Sequence, residues 1–169
     1  GVAATDLGNL LQKLNEALRE AENQGVWTES PWNGFCVRLA FPPRDRFNKL
    51  MNGTRRIVTN PATKRPEESV DEEAVSAVYA KNVILDWKGL TPEILSSLLS
   101  MTTDRAKTFY TSPKEIADGL PYTEADAKDL MLKSISFDRW VANFIAEPAN
   151  FAKSKEAELR ASDETGQWT

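Results

Sequence analysis

A chain of 169 residues with a net charge of −4 predicts one domain that is large enough to bury a core of its own. Hydrophobic residues at 41% and charged residues at 27% are typical of a soluble globular protein, and the negative charge argues against a nucleic-acid binder. No apolar run approaches the roughly 20 residues that span a membrane, so we expect a soluble protein of the cytoplasm.

The first predicted helix covers residues 6–24 and is strongly amphipathic. Its apolar stripe consists of Leu7, Leu10, Leu11, Leu14, Leu18 and Ala21. Such a stripe either packs on the rest of the domain or pairs with a copy of itself, and the sequence does not separate the two. We expect residues 1–25 to form this N-terminal segment and residues 26–152 to form a single globular domain.

Two strands are predicted at residues 26–29 and 35–41, joined by a short loop that contains Asn33 and Gly34. The short separation and the Asn-Gly pair indicate a β-hairpin. Two strands alone are marginally stable in water, so the hairpin must lie against helices or join a sheet contributed by another chain. We expect no other β structure in the chain.

A basic helix is predicted at residues 44–57, followed by a loop at residues 59–66 and an acidic run. The run contains the adjacent carboxylates Glu67 and Glu68, and Glu72 and Glu73 follow. We interpret them as a solvated loop and the first turn of a helix, where carboxylates favour the positive end of the dipole, and not as a catalytic pair.

A long helix is predicted from Ser69 or Val70 to Lys88, with a Ser69–Glu72 capping box at its start and Gly89 just past its end. Asp86 falls in the middle of the apolar face of this helix, where an unpaired carboxylate is unfavourable. We therefore expect Asp86 to be a structural polar residue that accepts hydrogen bonds from a loop backbone or from an arginine. A contact with a protein partner and a catalytic carboxylate are the alternatives.

The second half of the chain is predicted to be helical. Helix starts are expected near Thr91, Ser112, Thr123 and Ser136, and Pro148 should kink or restart the last helix. Residues 153–169 are predicted to form a charged C-terminal tail, helical at first and then disordered. The predicted fold class is mainly α with a small β-hairpin (α+β), in which amphipathic helices pack around one core.

The sequence contains no pattern that indicates catalysis. It has no histidine and a single cysteine, Cys36, which alternation places on a half-buried strand. It also lacks a glycine-rich phosphate loop and a nucleophile flanked by a base. These absences predict a binding protein that is not an enzyme and that uses no metal and no cofactor.

Five segments in a fixed order carry a family resemblance. They read GVWTESPWNGFCVRLAF, PPRDRFNKL, VYAKNVILDWKGL, LPYTEADAKDLML and FDRWVANFIAEPANF. Together they resemble the tail assembly chaperones of long-tailed bacteriophages, over residues 25–153. The chain departs from the family pattern at residues 91–119, where relatives usually have a short acidic loop.

The resemblance implies a protein that binds the tape-measure protein and keeps it soluble while the phage tail is assembled in the host cytoplasm. It implies the tape-measure protein as partner, with the tail tube protein as a second candidate, and no nucleic acid or membrane. Such chaperones are absent from the mature virion. Self-association of the chain stays open, and the alternative is a structural virion component of the tail or of the head–tail connector.

Four aromatic residues are expected to matter most, either as core or as the lining of a partner-binding groove. They are Trp87, Tyr122, Trp140 and Phe144. Amphipathic helices with apolar grooves between them can cover apolar helical segments of another protein, while the charged exterior keeps the complex soluble.

Overall fold

The computed structural model describes the backbone of residues 4–165 and, within that range, the side chains except those of residues 4–7, 14, 17, 18, 20–22 and 162–165. The first half of the chain forms α1 (Ala4–Asn23), β1 (Val26–Glu29), β2 (Cys36–Leu39), α2 (Arg44–Asn52), β3 (Arg55–Thr59), β4 (Pro66–Val70), α3 (Glu72–Asn82) and β5 (Ile84–Lys88). The second half forms α4 (Pro92–Leu99), α5 (Thr103–Lys107), α6 (Pro113–Asp118), α7 (Glu124–Lys133), α8 (Ile135–Ala146) and α9 (Ala149–Thr165). The predicted fold class, mainly α with a small β component, is confirmed.

Strands β1, β2 and β5 form an antiparallel sheet with β2 in the centre. Val26 pairs with Leu39 at one end of β1 and β2, which confirms the predicted hairpin. On the other side of β2, Val37 pairs with Trp87 and Leu39 pairs with Ile84, with an irregularity between the two pairs. Because of this irregularity, Ile84 and Trp87 both lie on the buried face although they are three residues apart.

The single helix predicted from Ser69 or Val70 to Lys88 is wrong. Asp71, and not Ser69, caps α3, because its carboxylate accepts a hydrogen bond from Ala74 N at 3.2 Å. The helix ends at Asn82, and the chain continues directly into β5. Pairing of β5 with β2 buries side chains that would not join the sheet if the helix continued. This tertiary pairing overrides the local helical pattern.

The expectation of no further β structure is also wrong for the charged middle of the chain. The helix predicted to reach residue 57 ends at Asn52, and β3 and β4 pair antiparallel from Arg55 with Val70 to Thr59 with Pro66. Every residue of this β3–β4 ribbon is exposed except Ser69, which is half-buried. With neither face buried, the ribbon has no alternation of apolar and polar residues that would predict strands.

Hydroxyl groups cap the starts of α5, α6, α7 and α8, whereas α4 starts after Thr91, as predicted, without a side-chain cap. Thr123 Oγ1 accepts from Asp126 N at 3.0 Å and Ser112 Oγ accepts from Glu115 N at 3.1 Å, which confirms both predicted starts. The cap predicted at Ser136 is wrong, because the buried Ser134 accepts from Phe137 N at 3.2 Å. Pro148 lies between α8 and α9, so the predicted restart is confirmed.

The core lies between one face of the sheet and helices α3, α4, α7 and α8. Residues 91–119 contribute to this core. Leu95, Leu98 and Ala106 are buried, and the buried Tyr110 donates its hydroxyl to Leu90 O at 2.5 Å.

Helix α1 precedes the edge strand β1 in the chain, and helix α9 packs against that strand. Helix α9 continues across residue 152, where a tail is predicted to begin, and packs on β1, where Trp27 N donates to Glu158 Oε2 at 3.4 Å. Such a contact covers a free sheet edge. In α1, Leu10 and Leu11 are exposed. The other positions of the predicted stripe and the tail end at residues 166–169 lie outside the described residues and side chains.

Candidate binding surfaces

Eight aromatic side chains form a continuous row through the molecule. Successive ring centroids lie 5.1–6.2 Å apart, the range in which aromatic pairs attract one another. In order, this aromatic row contains Tyr122, Trp87, Phe35, Phe137, Trp140, Phe144, Phe41 and Phe151. The four aromatic residues singled out in the sequence therefore belong to one cluster, in which Phe35 and Phe137 join two pairs.

The first pair, Trp87 and Tyr122, is fixed by hydrogen bonds to backbone carbonyls. Trp87 is 4% exposed, and its indole Nε1 donates to Leu120 O at 2.9 Å. Tyr122 is half-buried and donates its hydroxyl to Ile84 O at 2.7 Å. Burial, and after it the carboxylates of Glu124 and Asp86, raise the pKa of Tyr122, so the hydroxyl stays a donor.

The second pair, Trp140 and Phe144, lies on α8 and is half-buried. Trp140 contacts Trp32 of the hairpin loop edge to face, with centroids 6.0 Å apart. Phe144 contacts Phe41, which follows β2, with centroids 5.8 Å apart. These contacts attach α8 to the sheet at both ends of β2.

Asp86 lies on a strand and not on the core face of a helix, which corrects the environment predicted for it. It is half-buried opposite Arg38, on the face of β5 that Trp87 does not occupy. Its Oδ1 accepts a hydrogen bond from the adjacent Trp87 N at 2.8 Å. Arg38 instead donates its Nε to Gln24 O. Asp86 thus satisfies a backbone group of its own strand.

An apolar pocket opens at the Tyr122–Trp87 end of the aromatic row. This α4–α7 pocket has a volume of about 220 Å³ and is walled by Trp87, Leu95, Leu99, Met101, Phe109 and Leu130. Asp126, Asp129 and Lys133 of α7 lie at its polar side. Phe109 is 51% exposed, which is unusual for a large aromatic ring. The pocket is large enough for one large apolar side chain.

A larger groove opens at the Phe41–Phe151 end of the row. This proline groove has a volume of about 710 Å³, and its walls include Phe41, Phe47, Tyr79, Ile145 and Phe151. Pro42, Pro43 and Pro148 also line it, and Arg44 is the charged residue of its lining. Grooves of this size and composition accept ligands or the apolar face of a helix.

The described residues offer little for metal or thiol chemistry. No group of three His, Cys, Asp or Glu side chains in this part of the chain is placed to hold a metal ion. Cys36 is half-buried, and burial is the largest effect that raises the pKa of its thiol. The charge of Lys88 lowers this pKa in part, and the charge of Glu29 raises it. No helix from residue 4 to 165 has the length and hydrophobicity that crossing a membrane requires.

Comparison of the chain with protein-family models, with curated proteins and with solved structures finds no match.

Of the four aromatic residues singled out in the sequence, Trp87 lines the α4–α7 pocket and none lines the proline groove. Sequence reasoning missed the other residues that shape the two cavities. The walls of the α4–α7 pocket come mainly from residues 90–130, which the helical pattern predicts as helices without showing that they meet. The proline groove depends on Pro42, Pro43 and Pro148, which the sequence indicates only as interruptions. Their positions flanking β2 and α8 are the signal that could have joined them, because Phe35 and Phe41 border β2 and α8 carries three aromatic residues.

Proposed function

We propose that this protein is a tail assembly chaperone of a long-tailed bacteriophage, which binds the tape-measure protein and keeps it soluble until the tail tube forms. The observation that carries the proposal is the open apolar proline groove on an otherwise charged molecule. The ordered segments at residues 25–151 support the choice of family, and the proline groove offers a surface for binding.

The proline groove suits the apolar face of an amphipathic helix. Helix-in-groove recognition needs an apolar trough with a polar rim, and here aromatic and proline side chains form the trough and Arg44 lies at its rim. The α4–α7 pocket, about 220 Å³ in volume, adds a second site for a single large side chain. Both surfaces can shield apolar segments without making or breaking a bond.

The proposed location is the host cytoplasm, and the protein leaves the tail before the virion is complete. Rigid surfaces lower the entropic cost of binding, and the aromatic row connects both cavities to one packed core. A chaperone of this kind can engage many apolar segments of a long client, since shape and apolar character matter more than a particular sequence.

Co-expression with the tape-measure protein of the same genome tests the proposal. We expect the soluble fraction of the tape-measure protein to rise and a complex to be recovered by affinity capture. Ala146→Glu places a charge in the proline groove at an exposed position and should abolish the complex. Asn143→Glu, exposed on the same helix but not part of the groove lining, is the matched control. Unchanged insolubility of the tape-measure protein with the wild-type chain contradicts the proposal.

A second candidate function is a structural component of the tail or of the head–tail connector. The β3–β4 ribbon favours a structural role, because its apolar side chains Ile57 and Val70 are 78% and 54% exposed. Within the described part of the chain, its two strands form a sheet of their own, so both edges are free to pair with another subunit. Mass spectrometry of purified virions separates the two functions. A chaperone is missing from the particle, whereas a structural component is present in many copies.

A further inference from the structure

We propose that the protein self-associates by arm exchange, in which α1 of one copy lies in the proline groove of a second copy. The proline groove is apolar, and α1 carries two leucines whose side chains are described and exposed. Leu10 and Leu11 on α1 are 62% and 51% exposed. Among the residues that the structure describes, none of α1 lines the proline groove.

The root of α1 lies next to the groove. Val26, which follows α1, pairs with Leu39, and the chain after Leu39 runs through Phe41, Pro42 and Pro43 into the groove wall. The end of α1 therefore sits within a few residues of the same end of β2. In a two-fold dimer, each copy places its arm in the groove of the neighbour and receives the neighbour's arm in its own groove.

The connection between α1 and β1 is fixed by contacts with β2. Arg38 donates a hydrogen bond to Gln24 O, and Gly25 has a φ of 65° with its Cα packed against the backbone of Leu39. A Cβ on Gly25 would lie 2.5 Å from Leu39 O, so any side chain at this position would clash with the backbone of Leu39. Donation of the arm by a second copy leaves these contacts intact.

The charges of the two surfaces are complementary. Helix α1 carries four acidic and two basic residues. Helix α2, which forms one wall of the groove, carries Arg44, Arg46 and Lys49 against the single acidic Asp45. An arm of negative net charge thus faces a wall of positive net charge. At about 1.5 Å per residue, the 20-residue arm is about 30 Å long, enough to cross the groove and contact α2 along its length.

Sedimentation equilibrium of the full chain tests the proposal, with two defective variants and two controls. We expect the wild-type chain to form a dimer that weakens as salt is added. Leu10→Asp in the arm and Ala146→Glu in the groove should each weaken the dimer at least about tenfold. The exposed Gln12→Asp and Asn143→Glu should leave it unchanged, and equal melting temperatures show that all variants fold.

Mixing the two defective variants separates arm exchange from simple pairing of two α1 helices. The Leu10→Asp chain keeps an intact groove and the Ala146→Glu chain keeps an intact arm. Their mixture should therefore recover part of the association, since one of the two contacts is restored. A monomeric wild-type chain overturns the proposal. So does a dimer that Ala146→Glu leaves intact, or a mixture that recovers nothing. Self-association through α1 does not require that the protein bind a tape-measure protein.

Discussion

The three-stranded sheet and the β3–β4 ribbon are both antiparallel, but different forces stabilise them. Val37 and Leu39 of β2 and the adjacent Phe35 are fully buried, whereas no residue of the ribbon is buried. The ribbon is stabilised by its backbone ladder and by the ion pairs Arg55–Glu68 and Arg56–Asp71 at 3.4 and 3.1 Å. Exposed ion pairs contribute little, so the free energy of unfolding should reside on the sheet side of the molecule.

The largest difference between the two regions should come from removing one large apolar side chain from each. Phe35→Ala empties the middle of the aromatic row and should lower the free energy of unfolding by about 3–5 kcal/mol. Ile57→Ala in the ribbon removes a side chain that is 78% exposed and should cost less than about 0.5 kcal/mol. Urea denaturation measures both. Similar losses would show that the ribbon is buried in an assembly.

A smaller change tests how much of the sheet-side stability is polar. Trp87→Phe keeps an aromatic ring but removes the indole donor to Leu120 O and part of the buried volume. We expect a loss of about 1–3 kcal/mol in the same denaturation assay, since a partly buried carbonyl loses its partner. Trp27→Phe, at a half-buried tryptophan on β1, is the matched control and should cost less. Equal losses would remove any special role for the Trp87 hydrogen bond.

A carboxylate in each region extends the comparison to polar groups. Asp86→Ala removes the acceptor of a 2.8 Å hydrogen bond in the sheet and should cost about 1 kcal/mol, because water can reach the half-buried site. Glu68→Ala in the ribbon removes an ion pair whose side chains are 56% and 63% exposed, and should cost less than about 0.5 kcal/mol. Thermal unfolding measures the order of the two effects. A loss of several kcal/mol at Asp86 would indicate a buried carboxylate.

A further small effect has the opposite sign and depends on pH. Burial, and after it the charge of Glu72, raise the pKa of Asp138 despite the neighbouring Arg139. The folded state therefore holds the proton more tightly than the unfolded state, and stability from this group falls as pH rises through that pKa. Asp138→Asn should stabilise the protein at pH 7 by less than about 1 kcal/mol, with the gain vanishing below about pH 4. Denaturation midpoints of both proteins across pH 3–8 measure it, and a gain that persists at pH 3 contradicts this cause.

The sequence predicts the hairpin and most helix starts because local signals suffice for them. The buried residues Phe35, Val37 and Leu39 alternate from the residue before β2 to its end, and Ser112 and Thr123 are hydroxyl caps that act within one turn. Strand β5 is different, since Ile84 and Trp87 are buried at a spacing of three residues, which imitates a helix. Only pairing with β2, about fifty residues away in the chain, reveals the strand, and a local pattern does not carry such a pairing.

The candidate surfaces were predicted only in part for the same reason. Trp87, Tyr122, Trp140 and Phe144 stand out as large aromatic residues, and they do share one cluster. Their connection through Phe35 and Phe137 depends on how α8 crosses the sheet. The volume of a cavity depends on several elements meeting, so neither the α4–α7 pocket nor the proline groove can be inferred from composition.

The aromatic row also makes the molecule its own optical probe. The indole rings of Trp32 and Trp140 lie edge to face with centroids 6.0 Å apart, close enough for their electronic transitions to couple, and Trp87 forms a wall of the α4–α7 pocket. Occupancy of that pocket should shift the fluorescence of Trp87, while changes near α8 should alter the near-ultraviolet circular dichroism of the coupled pair. Binding at the two ends of the row can thus be followed separately, without attaching a dye.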